Sequence, residues 1–121
     1  MSWNMTVPFS NYTSLYFDTG KIAQSNGSSD AYYQPVGGSG VPELKINIPY
    51  SLDITDPNAT EQQCLAAITH DPTFSPITAF HKGLLICIQT GNGVALIEQT
   101  KNLDQSNTLY LHEVYWLNSS Q

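Results

Sequence analysis

Apolar and polar positions alternate with a period of two along most of this chain, and a single stretch trades that rhythm for a helical one. The clearest alternation is C-terminal. Residues 84–90 form an apolar, β-branched run, Gly91-Asn92-Gly93 is a turn tolerant of positive φ, and 94–99 is the return strand. A second turn covers 102–107, and 108–117 reads as a long final strand. It sets Leu109, Leu111, Tyr115 and Leu117 on one face and Tyr110, His112, Val114 and Trp116 on the other. Apolar bulk on both faces predicts a central or sandwiched strand.

Upstream, 15–19 closed by Gly20 predicts a first strand and turn, with 21–24 as its continuation. Residues 25–30 carry every loop signal. Ala31-Tyr32-Tyr33-Gln34 is an aromatic strand ended by Pro35, 37–40 is a flexible connection, and 43–48 alternates as a half-buried strand does. Residues 1–13 show no period and contain Pro8, so they read as an arm or linker, leaving 14–121 as a single β-rich domain. The helix candidate runs from Asn58 as N-cap, with Glu61 three residues on, to the stop at Asp71-Pro72; Cys64, Leu65 and Ile68 form its apolar face. Residues 74–82 are irregular, ending in a turn at Gly83. The fold class is mainly β with one short helix, a small antiparallel β-sandwich or barrel.

Composition narrows the partners. At 121 residues the chain can bury about two thirds of its unfolded surface, so a core forms without a metal. The net charge is −6, with four Lys and no Arg. Arg supplies most bidentate contacts to phosphate and guanine, so nucleic acid is not an expected partner, nor is an anionic surface. No apolar run is long enough to span a membrane. The N-terminus lacks the basic-then-apolar pattern of a signal sequence, so in an exported protein Met1 would be a start placed on an excised domain. Asn-x-Ser/Thr sequons occur at Asn4, Asn11, Asn26, Asn58 and Asn118. A chain so rich in Asn, Ser and Thr generates them by chance, while a eukaryotic secreted protein would carry glycans there.

Two cysteines, Cys64 on the helix and Cys87 on a strand, read first as one disulfide made outside the reducing cytosol. Two buried free thiols, or zinc held by Cys64, His70, His81 and Cys87, are the alternatives. Each Cys–His pair is separated by five residues, wider than the spacing at which structural zinc ligands usually pair. Asp53-x-x-Asp56-x-Asn58 lacks the Gly and terminal Glu of a calcium loop and suits a turn. No nucleophile elbow surrounds Ser39, and the carboxylates, Glu113 among them, are scattered singly, so neither a catalytic residue nor a cofactor is expected. The aromatics Tyr12, Tyr16, Tyr32, Tyr33, Tyr50, Tyr110, Tyr115 and Trp116 exceed what one core needs. Tyr32 and Tyr33 are the candidate ligand-binding pair, because adjacent strand residues point to opposite faces and one then faces outward.

The order of motifs then matters: Phe17-Asp-Thr-Gly20, the Tyr32-Tyr33 strand, Cys64-Leu-Ala-Ala67, Phe80-His-Lys-Gly83, Ile86-Cys-Ile-Gln-Thr90, Gly91-Asn-Gly93, and a last strand ending in Tyr115-Trp116. Over roughly residues 15–117 this resembles a small exported β-domain of actinobacterial and related bacterial proteins, often placed behind the transmembrane segment of Ser/Thr kinases or in secreted proteins. The resemblance implies a disulfide and an accessory sensing or binding role, with no catalytic residues. The expected function is a non-catalytic extracytoplasmic sensor or binding module, extracellular or in the cell envelope, for an extracellular ligand or protein partner. A carbohydrate-binding module is the first alternative and a small secreted hydrolase the second.

Overall fold

A computed structural model describes residues 1–11, 13–24, 28–37 and 40–117. The expectations on Tyr12, on Ser39 and on the sequons at Asn26 and Asn118 lie outside the described residues. The elements in order are β1 (Ser2–Val7), β2 (Thr13–Tyr16), β3 (Lys21–Gln24), β4 (Ala31–Pro35), β5 (Pro42–Ile46), β6 (Tyr50–Ser51), α1 (Glu61–His70), β7 (Leu85–Gln89), β8 (Gly93–Gln99) and β9 (Leu109–Leu117). They make two antiparallel sheets, ordered β1-β9-β8-β7-β6 and β3-β2-β4-β5. Neither sheet closes on itself, so of the two expected architectures the sandwich is the one formed.

The period of two decides which residues meet between the sheets. Leu109, Leu111 and Tyr115 of β9, Ala95 and Ile97 of β8, and Ile86 and Ile88 of β7 face Leu15, Tyr33 and Leu44 of the smaller sheet in one core. Burying a side chain of this size is worth about 1.5–3 kcal/mol, which makes the inner faces the main source of stability.

Residues 2–7 correct the expectation of an N-terminal arm. They pair with β9 along their whole length, from Ser2↔Val114 to Val7↔Leu109, and Met5 and Val7 enter the core. Trp3, Met5 and Val7 do alternate with Asn4 and Thr6, and Pro8 ends the strand rather than marking a linker. With β1 in place, β9 is an interior strand of its sheet, with β1 on one side and β8 on the other.

Helix α1 begins later than Asn58. Thr60 is the cap: its Oγ1 accepts from Gln63 N at 3.2 Å while Gln63 Oε1 accepts from Thr60 N at 2.8 Å, a reciprocal capping box. Asn58 is engaged elsewhere, its N donating to Asp56 Oδ1 at 2.9 Å, so the stretch 53–58 serves a turn. The helix stops at Asp71 before Pro72, as expected. It covers the outer face of the larger sheet, where Cys64 and Ile68 meet Leu85, Cys87, Val94 and Leu96. The 91–93 turn owes its glycine to space, since neither Gly91 nor Gly93 takes a positive φ. A Cβ at Gly93 would strike the Trp116 carbonyl and the Tyr115 ring.

Cys64 and Cys87 are disulfide-bonded, with Cα atoms 5.2 Å apart and a sequence separation of 23. The bond joins α1 to β7 and removes both sulfurs as zinc ligands. Closing a loop of this length is expected to stabilise the fold by about 3 kcal/mol. Urea unfolding with and without reductant measures it: the reduced protein should unfold at a clearly lower midpoint, with an intact mass greater by two hydrogens.

Candidate functional site

The most exposed large apolar side chain among the described residues is Phe74, at 88%. Its position follows from the segment that carries it. After α1 the chain returns along the edges of both sheets. Thr73 N donates to Tyr50 O (2.8 Å), and Leu52 N to Thr73 Oγ1 (3.1 Å). One residue beyond Phe74, the Tyr50 hydroxyl donates to Ser75 O. Ile77 then bridges to Leu44 through both backbone bonds (2.9 and 3.0 Å) and buries its side chain. Residues 73–77 thus occupy edge positions that β5 and β6 would otherwise leave open. Because Thr73 and Ser75 are tied to Tyr50 on either side, Phe74 stands away from the core. Beside it lies an open groove of about 360 Å³ lined by Ile46, Asn47, Ile48, Pro49, Tyr50, Pro72, Thr73 and Phe74. Such a surface suits apolar contact with a ligand.

Of the residues singled out from sequence, Tyr33 lies in the core with no exposed surface. Its ring meets Phe9 and Phe80, and its hydroxyl donates to Asn107 O at 2.6 Å. Tyr32 takes the opposite face of β4, half-buried, in register with Ser14 and Lys45. The histidines do not converge. His70 ends α1, His81 Nδ1 lies 3.0 Å from Lys82 O, and His112 Nδ1 lies 2.8 Å from Asn4 Oδ1. Asn4, Asn11 and Asn58, the described sequon asparagines, are all exposed.

Phe74 was missed because an isolated aromatic between two prolines carries no periodic signal. Glu113 was missed for a different reason, although its parity with Leu109, Leu111 and Tyr115 was visible. It is fully buried on the inner face of β9, between Trp3 of β1 and Ile97 of β8. Trp3 Nε1 donates to Glu113 Oε1 at 2.7 Å, while Oε2 has no hydrogen-bond partner. Trp3 in turn lies over Gly20, where φ is +70° and a Cβ would come within 2.5 Å of the indole. Nearby, Tyr115 donates to Asp18 Oδ1 at 2.8 Å, and Phe17 N donates to Asp30 Oδ2 at 2.7 Å. Burial, reinforced by the charges of Asp18 and Asp30 and opposed by the Trp3 bond, pushes the Glu113 carboxyl up to about 8. Burial also raises Asp30, against the bond from Phe17. A shifted acid in a cleft would be a candidate for proton transfer. Glu113 is instead closed off by Trp3, and its geometry serves the seam between β1 and the sandwich.

Fold and site together define a disulfide-bonded β-sandwich with an apolar groove at its edge. Comparison of the chain with protein-family models, curated proteins and solved structures returns no significant match. No helix among the described residues is long and apolar enough to cross a membrane.

Glu113 makes stability pH-dependent in a defined direction. The folded protein holds its proton more tightly than the unfolded chain, so this contribution is complete below about 4.5 and is lost as the pH rises towards about 8. Urea midpoints across that window should fall for the wild type by the equivalent of a few kcal/mol. Glu113→Gln, which cannot ionise, should flatten the slope. A wild-type midpoint that rises over the same window would contradict the assignment.

Proposed function

We propose that this chain is a non-catalytic extracytoplasmic binding module, an accessory sensor of the kind carried outside the membrane by bacterial Ser/Thr kinases or by secreted proteins. The disulfide supports the compartment, because such bonds persist where thiols are not kept reduced. The order of motifs from Phe17 to Trp116 supports the class. The observation that carries binding is Phe74, held out in solvent by bonds on both sides beside a groove walled by Ile46, Ile48, Pro49, Tyr50 and Pro72. Leaving a phenylalanine solvated forgoes about 1.5–3 kcal/mol of burial, which a ligand covering it would recover.

A carbohydrate-binding reading has its own observation. Tyr32 shares the outer face of the smaller sheet with Tyr16, which lies two residues beyond the Ser14 position paired to it on β2. Aromatic faces beside polar side chains are what sugars stack on.

Titrating cell-wall oligosaccharides and short apolar peptides while following amide chemical shifts separates the readings. A binding groove predicts perturbations centred on 46–50 and 72–74, lost in Phe74→Ala with the rest of the spectrum kept. Perturbations centred on Tyr16 and Tyr32 would favour the sugar face. Cleavage of an oligosaccharide would overturn the non-catalytic reading in favour of a small hydrolase.

A further inference from the structure

The groove is open and apolar, and its surroundings narrow what would fit it. Between Lys45 and Lys82 the chain has Asp53, Asp56, Glu61 and Asp71 and not one Lys or Arg. This span supplies every residue that lines the groove: β5 ends in it, β6 lies in it, α1 follows, and the return segment carries Phe74. Two of these acids sit next to the groove walls. Asp71 precedes Pro72, and Asp53 follows Tyr50 by three residues; the loop is tied down by Ser51 Oγ, which donates to Asp71 O at 2.6 Å and accepts from Asp53 N at 3.0 Å. The Asp53 and Asp71 side chains come within hydrogen-bonding reach of each other, and both residues are exposed. Two carboxylates held that close repel when both are ionised, and a cation placed beside them relieves the repulsion.

Resting on the binding-module reading, we infer that the groove beside Phe74 receives an extended segment of a partner protein in which apolar side chains are interspersed with Lys or Arg. The apolar walls and Phe74 take the aliphatic or aromatic side chains, and the Asp53–Asp71 pair takes a cationic one. The same charge pattern disfavours the competing occupants. Anionic lipid and nucleic acid meet four carboxylates with no Lys or Arg among them. A neutral sugar hydrogen-bonds to carboxylates but brings no charge to relieve the repulsion of the acidic pair. A positively charged, partly apolar peptide matches both features at once, and its encounter is steered by charge that salt screens.

Two synthetic peptides of about ten residues test this, long enough when extended to cross the groove. They share the same alternating Leu and Phe positions and differ only in carrying Lys or Glu at the positions between. Fluorescence anisotropy with the intact, disulfide-bonded protein should show the Lys peptide binding at least tenfold more tightly than the Glu peptide, with the advantage shrinking as salt is raised. Phe74→Ala should weaken the Lys peptide about tenfold. The double variant Asp53→Asn, Asp71→Asn should close the gap between the two peptides. All three substituted side chains are exposed, and an unchanged amide spectrum with an intact disulfide shows that each variant folds. Equal affinities, a preference for the Glu peptide, or indifference to Phe74→Ala overturns the inference. If oligosaccharides still perturb 46–50 and 72–74 while the peptides tie, the partner chemistry is wrong and the binding module stands. If neither class of probe touches the groove, both fall.

Discussion

The bond between Cys64 and Cys87 is the constraint from which the grooved edge of this domain follows. It fixes α1 over the outer face of the larger sheet and therefore fixes where the helix ends. From that end, Asp71 O is held by Ser51, Thr73 by Tyr50, and Ile77 by Leu44. Each bond depends on the one before it for register. The chain thus returns along two sheet edges that would otherwise be open to pairing with other molecules. Phe74 and its groove are the outcome of that path. A helix free to shift would change the starting point of the return segment, and the groove walls are drawn from both sides of that segment.

The opposite seam of the sandwich is held by other means. There β1 depends on backbone pairing with β9, on Met5 and Val7 in the core, and on Trp3 lying over Gly20 and bonding Glu113. An orphaned oxygen on a buried acid is costly, and it is tolerated where the acid can remain protonated. One seam is therefore held by a covalent bond, while the other is noncovalent and tied to a proton. The candidate groove lies with the covalent one.

Much of this architecture was legible in the alternation of side chains. The β7–β8–β9 meander, the parity of β9, the helix stop before Pro72 and the outward turn of one member of the Tyr32–Tyr33 pair all follow from local rules. Errors arose where two local signals competed. Pro8 outweighed the alternation of Trp3, Met5 and Val7, and Asn58 with Glu61 was preferred over the better reciprocal pair Thr60 and Gln63. The tolerance of positive φ that the 91–93 turn offers goes unused, and Gly93 answers instead to the nearness of Tyr115 and Trp116.

What the sequence determined by itself was a β-rich chain with one helix, two cysteines suited to an oxidising compartment, and a shortage of basic residues. These are properties of composition and of neighbours along the chain, and they hold whichever strands pair. Only the tertiary structure decided that Tyr33 is core and Phe74 surface, that Glu113 is sealed beneath Trp3, and that Asp53 meets Asp71. Each of those depends on residues far apart in sequence being brought together. Exposure of an isolated aromatic, and the proton held by a lone carboxyl, are set by what the fold places against them.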